Sequence, residues 1–147
     1  IGGLSKRGGQ SRLILPGKTD NAATIGASRL LYGYLLKRRA RIYEFQPRLL
    51  HTKLVIVDDA VYIGSANFDL RSLFINVEMM LRIEDAGFAD HARAVIDILQ
   101  KEAETITPEL HGSRRSLLNR LRWTISYFLV NTLDYRITRR FNFGSGK

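Results

Sequence analysis

Residues 49–66 hold the feature that most restricts the fold. Two apolar runs, Leu54-Val55-Ile56-Val57 and Val61-Tyr62-Ile63-Gly64, flank the acidic stretch Asp58-Asp59-Ala60. β-branched and aromatic residues around a short polar turn predict an antiparallel hairpin. If Asp58-Asp59-Ala60 forms a three-residue loop, the cross-strand pairs are 57 with 61, 55 with 63, 53 with 65 and 51 with 67. Side chains alternate with a period of two, so His51 and Lys53 project from one face, and on this register Ser65 and Asn67 join them. A two-residue loop slips the register by one and sends Ser65 and Asn67 to the other face. Asp58 has the opposite parity to His51, which gives it a turn-fixing or supporting role.

Around the hairpin the pattern is that of an α/β chain. Arg12-Leu13-Ile14-Leu15, ended by Pro16-Gly17, reads as a buried strand. A helix follows, capped by Asp20 or Asn21, with Ala27, Leu31, Tyr34 and Leu35 on one face and Lys37-Arg38-Arg39 near its end. Arg41-Ile42-Tyr43-Glu44-Phe45 is the next strand, and strand, helix, strand is the signature of a crossover unit. Another strand is expected over 76–83, then a helix over 87–103 with Asp85 as N-cap and Phe88, Ala92, Val95, Ile96 and Leu99 inward. Thr105 to Ser113 reads as a linker. His91 falls on a polar helix side and His111 in the linker, so both are expected at the surface.

Charge separates the chain into two parts. Residues 1–110 carry 15 Lys or Arg against 13 Asp or Glu, whereas residues 111–147 carry 8 against 1. The basic tail is attracted to polyanions, nucleic acid and anionic lipid alike. Its uncharged run from Trp123 to Leu133 has 11 residues, short of the ~20 a spanning helix needs. An amphipathic helix with Trp123, Tyr127 and Phe128 on its apolar side suits an anionic membrane surface, and also suits packing on a partner domain. The chain has no cysteine, so disulfides and thiolate metal sites are excluded, and a reducing or cytoplasm-facing setting is allowed. It opens on Ile1 without a signal-peptide pattern and reads as a piece of something longer.

The chemistry concentrates in His51-x-Lys53-x-x-x-x-Asp58, followed by Gly64-Ser65-Ala66-Asn67. An ammonium neutralises phosphoryl oxygens while an imidazole beside it attacks phosphorus or shuttles a proton. With Phe68-Asp69-Leu70-Arg71-Ser72 and Asn76-Val77-Glu78 downstream, these residues resemble the HKD signature of the phospholipase D superfamily. Leu15-Pro16-Gly17-Lys18-Thr19-Asp20 and Ile42-Tyr43-Glu44-Phe45 make the chain most similar to the C-terminal half of bacterial cardiolipin synthases, over roughly residues 10–105.

That resemblance implies an α/β fold, a phospholipase D-like mixed sheet flanked by helices, as one half of a two-half, pseudo-dimeric enzyme. Residues 1–110 are then the catalytic half and residues 111–147 a helical tail. It implies phosphatidyl transfer through a phosphohistidine, with His51, Lys53, Asp58 and Glu78 as the catalytic set. Lys53, Ser65 and Asn67 would hold the phosphate, and Glu78 would orient the histidine, since a carboxylate fixes the tautomer and stabilises imidazolium. The chemistry needs no metal or other cofactor. Implied partners are a phospholipid substrate, an anionic membrane surface at the cytoplasmic face of a bacterial inner membrane, and a second HKD half. Only one such motif is present here, so the other histidine has to come from an N-terminal half or from a homodimer. Alternatives are a phospholipase D-type hydrolase, a nuclease phosphodiesterase acting on nucleic acid, and a non-catalytic membrane-binding fragment.

Overall fold

The computed structural model describes residues 2–19, 22–66 and 78–130. It contains α1 (Gly2–Lys6), β1 (Ser11–Pro16), α2 (Ala22–Leu36), β2 (Ala40–Phe45), β3 (Leu54–Val57), β4 (Ala60–Gly64), β5 (Met80–Glu84), α3 (Ala86–Lys101), β6 (Ala103–Ile106), α4 (Pro108–Arg114) and α5 (Leu117–Phe128). The result is a mixed α/β protein with two three-stranded sheets flanked by helices. Contacts divide the chain into two units, residues 1–50 with 99–128 and residues 51–98 with 129–147.

In the first unit β1 and β2 run parallel, Leu13 opposite Ile42 and Leu15 opposite Glu44, with α2 as the crossover between them. β6 adds antiparallel to β2, Ile42 opposite Ile106. The core is Tyr32, Ile42 and Ile106, with Leu13, Leu15, Leu35, Leu36 and Leu110 packed around it. The expected inward face of α2 is corrected in part. Gly26, Ala27 and Tyr32 are buried, while Leu31 and Tyr34 are exposed. α2 is apolar almost all the way round, so periodicity does not single out its packed side. The caps expected at Asp20 or Asn21 lie outside the described residues.

The segment read as a linker is structured. Ala103–Ile106 pairs with β2, and Thr107 caps α4, its hydroxyl accepting from Leu110 N at 3.1 Å with Pro108 in the first turn. His111, expected at the surface, is buried. Its ring stacks on Trp123 at 5.5 Å and leans on Tyr32 at 6.1 Å. Trp123 in turn belongs to the packed side of α5 and not to an exposed apolar side. Gly26 permits the close approach of α2 to α5, because a Cβ there would come within 2.5 Å of Ser126 Oγ. The opposite side of α5 is an exposed apolar stripe of Leu117, Leu118, Leu121, Ile125 and Phe128, with Leu117 87% and Phe128 54% exposed.

Burial, followed by the charge of Arg115, holds the His111 pKa below its ordinary value. The neutral imidazole is therefore the folded form. Its contribution to stability is complete above the ordinary histidine pKa of ~6.5 and is lost as pH falls through the lower folded value. Melting temperature is expected to hold from pH 8 to 7 and to decline below about 6.5. His111→Gln should flatten that decline, and a step that survives the substitution contradicts the assignment.

β2 alternates inward and outward, which places Glu44 on the same face as Ile42, fully buried. Two arginines answer it. Arg29 of α2 donates from Nε and Nη2 to its two oxygens at 2.9 and 2.7 Å, and Arg114 of α4 lies 3.9 Å away. Arg114 itself bridges to Glu104 of β6 at 2.6 Å. Gln46 Nε2 donates to Glu44 at 3.3 Å. This network ties helices and sheet of the first unit together.

The second unit is a meander. β3 pairs antiparallel with β4, and β4 with β5, Val61 lying between Ile56 and Ile83. Asp85 caps α3, its Oδ1 accepting from Phe88 N at 2.6 Å, as the sequence suggests. Of the residues expected to face inward on α3, Ala92, Ile96 and Leu99 are half-buried, whereas Phe88 and Val95 are exposed. Ala89, on the same helix, is fully buried.

Candidate active site

The hairpin exists, but its loop has two residues. Val57 pairs with Ala60, Val55 with Tyr62 and Leu54 with Ile63, so the register expected from a three-residue loop is corrected by one position. The cause is local. Asp58 adopts φ +50, a left-handed conformation that Asp and Asn tolerate better than other side chains. It lets the chain reverse in two residues. Arg93 holds the turn from α3, its guanidinium donating to the Asp58 carbonyl and lying 4.0 Å from Asp59. A turn role for Asp58 predicts that Asp58→Gly leaves stability within about 1 kcal/mol, while Asp58→Val lowers it by about 1–2 kcal/mol. Chemical denaturation reads the difference; equal loss in both variants points to its carboxylate instead.

Register then decides which site residues meet. β3 begins at Leu54, so His51 and Lys53 stand on the segment entering the strand and strand alternation does not set their directions. Lys53 is opposite Gly64, whose N–H donates to the Lys53 carbonyl at 3.3 Å, and not opposite Ser65. The Lys53 ammonium donates to the His51 carbonyl at 2.8 Å. His51 is exposed and Lys53 half-buried.

Ser65 turns to β5 instead. Its N–H donates to Met79 O at 3.0 Å, its hydroxyl donates to Glu78 Oε2 at 2.6 Å, and the same hydroxyl accepts from Met79 N at 3.1 Å. Ser65 and Glu78, 13 residues apart, are thereby joined as one polar unit beside the end of β4. Gly64 makes this possible: a Cβ there would stand 2.0 Å from Met79 O, so the strands could not approach. That requirement was not singled out from the sequence, although the Gly-Ser-Ala-Asn run contained it. Asn67 lies outside the described residues, as do Arg71, Ser72 and Asn76.

Chemically the described part offers an accessible imidazole two residues from an ammonium, and a carboxylate fixed by a serine hydroxyl. Neutral imidazole can attack an electrophilic phosphorus or carry a proton, and the ammonium can neutralise phosphoryl oxygen.

Comparison with known proteins gives the family of the chain. A family model described as the phospholipase D-like domain of cardiolipin synthase matches residues 1–99. Cardiolipin synthase A of Klebsiella pneumoniae subsp. pneumoniae is 37% identical over 125 residues, covering 84% of this chain and 26% of that protein. Cardiolipin synthase A of Citrobacter koseri gives the same identity and coverage, and that of Klebsiella pneumoniae strain 342 is 43% identical over 94 residues, 63% of this chain. The chain spans about a quarter of the length of the first two relatives. Among solved structures, TrmBL2, an archaeal chromatin protein, aligns over 69% of this chain and 37% of its own with a TM-score of 0.47 and 17% identity, too loose to bear on activity. The match over residues 1–99 contains the whole hairpin together with Glu78, and the chain belongs to the phospholipase D-like domain family of the cardiolipin synthases.

Proposed function

We propose that this chain is one catalytic half of a phosphatidyltransferase that exchanges head groups on phospholipids, as cardiolipin synthesis requires. The observation that carries the reading is the pairing of an exposed His51 with Lys53 two residues on, inside a domain of this family. His51 acts as nucleophile or general acid at phosphorus. In the nucleophilic step the imidazole nitrogen bonds to phosphorus, the phosphorus–oxygen bond to the departing alcohol breaks, and the second half's histidine protonates that alcohol. A second alcohol then gives up its proton to that histidine and displaces His51. Lys53, Ser65 and Asn67 hold the phosphoryl oxygens, and Glu78, fixed by Ser65, supports the imidazole. Asp58 contributes by shaping the turn. The second histidine comes from another half, on the same polypeptide or from a homodimer.

The exposed stripe of α5 supports membrane contact. Arg120 and Arg122 stand on the helix that carries it, which suits anionic lipid at an interface. Among the described residues no helix is long and apolar enough to cross a membrane. The chain joined to its other half and given phosphatidylglycerol vesicles should release glycerol and form cardiolipin. A folded assembly that forms no lipid product contradicts the proposal, and cleavage of DNA in EDTA by the same preparation replaces it with the phosphodiesterase reading.

A further inference from the structure

The near balance of charge over residues 1–110 conceals a second basic region. Residues 1–43 carry nine Lys or Arg and a single carboxylate, Asp20, while residues 44–110 carry six against twelve. In the first unit the chain folds part of this excess around one place. Ser5, Gly8, Gly9, Gln10, Arg39 and Arg41 line a cleft of about 250 Å³ where α1 leads into β1 and α2 leads into β2. Lys6, Arg7 and Lys37 are exposed close to these residues in sequence.

Among the described residues the arginines of the cleft have no ion-pair partner. Arg29, Arg48, Arg82, Arg93 and Arg114 all bridge to carboxylates, but no described carboxylate lies within 4.0 Å of Arg39 or Arg41.

Arg39 adds an independent sign. It follows α2 at φ 60, its N–H donating to Leu36 O at 2.9 Å. Glycine is the ordinary residue at that left-handed position after a helix, and any Cβ there is strained. Strain of this kind is commonly kept where a residue serves a function, and Arg39 is among the residues lining the cleft. Two glycines also line the cleft: Gly8 has φ +80, and a Cβ on Gly9 would stand 2.3 Å from Leu4. The Gly8 and Gly9 N–H groups already donate to Ser5 and Leu4 carbonyls, so ligand contacts come from the side chains.

We propose that this cleft binds a phosphate group, held by the guanidinium groups of Arg39 and Arg41 with Ser5 and Gln10 as neutral hydrogen-bonding partners. Planar guanidinium forks match phosphate oxygens in bidentate fashion, which a point charge does not. The volume suits a head group and not a long chain. The phosphate can belong to a lipid head group or to a free phosphate compound, and this site stands whether or not His51 carries out catalysis.

The test uses the full chain, ¹⁵N-labelled. Inorganic phosphate titrated at constant ionic strength should shift the Gly8, Gly9, Arg39 and Arg41 signals with saturation, and chloride should not. Vesicles of phosphatidylglycerol, compared with phosphatidylcholine vesicles, form the second arm. Saturation with free phosphate assigns a soluble ligand; response only to phosphatidylglycerol assigns a lipid head group. In either case Arg39→Gly and Arg41→Gln should weaken binding at least 10-fold, whereas Lys37→Gln, removing the same charge outside the cleft, should change it less than 3-fold. Arg39→Gly should melt no lower than the parent chain, which separates lost binding from lost fold. No saturable response in either arm, or equal losses in all three variants, overturns the site.

Discussion

Replacing Glu44 with alanine is expected to destabilise the protein by about 3–5 kcal/mol, because removing one partner of a buried ion pair leaves the other uncompensated. Glu44 is fully buried, and Arg29, which binds both its oxygens, keeps only 27% of its side-chain exposure. Arg114 and Gln46 lose a partner as well. At this chain length the loss corresponds to a fall of about 10–16 °C in melting temperature. Replacing both members, Arg29→Met with Glu44→Leu, should recover most of the loss, since an apolar pair of similar volume can substitute for a buried ion pair. A small effect of Glu44→Ala alone, below about 1 kcal/mol, contradicts the network's structural role. The pair also sets an acid limit. Burial alone would raise the Glu44 pKa, but the hydrogen bonds and charge of Arg29, with the charge of Arg114, outweigh it and bring the value below the ordinary carboxylate range. The stabilisation is therefore complete above the ordinary glutamate pKa of ~4.3 and disappears as pH falls through the lower folded value. Acid unfolding of the parent should show this transition, and the alanine variant should lack it.

On the proposed function, His51→Ala is expected to reduce lipid-exchange activity of the assembled enzyme on the order of 10³-fold or more, since the proposal makes it either the nucleophile or the proton donor at phosphorus. His51 is exposed, so the melting temperature should stay within about 2 °C of the parent, as surface substitutions change stability little. Lys53→Ala should also slow the reaction, whereas Lys53→Arg restores charge but not the compact ammonium and should restore activity only in part. Activity that survives His51→Ala in a folded assembly removes the histidine from the chemistry.

Much of this was legible from the chain alone, for identifiable reasons. The crossover from β1 through α2 to β2 followed from apolar runs broken by Pro16-Gly17 and a long helical stretch, signals that local chemistry enforces. The hairpin was equally clear, but its loop length was not. Asp58-Asp59 lacks the glycine that usually marks a two-residue turn, and Asp58 supplies the positive φ itself. One residue of slip separates Ser65 from Lys53 and joins it to Glu78, so which of these residues pair was not readable from the sequence. β6 was missed because four residues, Ala-Glu-Thr-Ile, carry too little pattern to distinguish a strand from a connection. The burial of His111 depends on where α2 and α5 pack, which no local signal reports. The same holds for α5: an apolar stripe in the sequence suggests the inner side of a helix, yet here Trp123 and Ser126 face α2 and the leucines face outward.

The proposed two-step exchange at a lipid phosphate, with His51 taking part, can be tested by a partial reaction without a second lipid. The chain assembled with its other half would be incubated with phosphatidylglycerol vesicles and isotopically labelled glycerol, and label appearing in the lipid would be measured over time. Steady incorporation of labelled glycerol into phosphatidylglycerol is expected, and its loss in His51→Ala. A folded, assembled protein that leaves the lipid unlabelled, or one whose His51→Ala variant labels it at the parental rate, would contradict it.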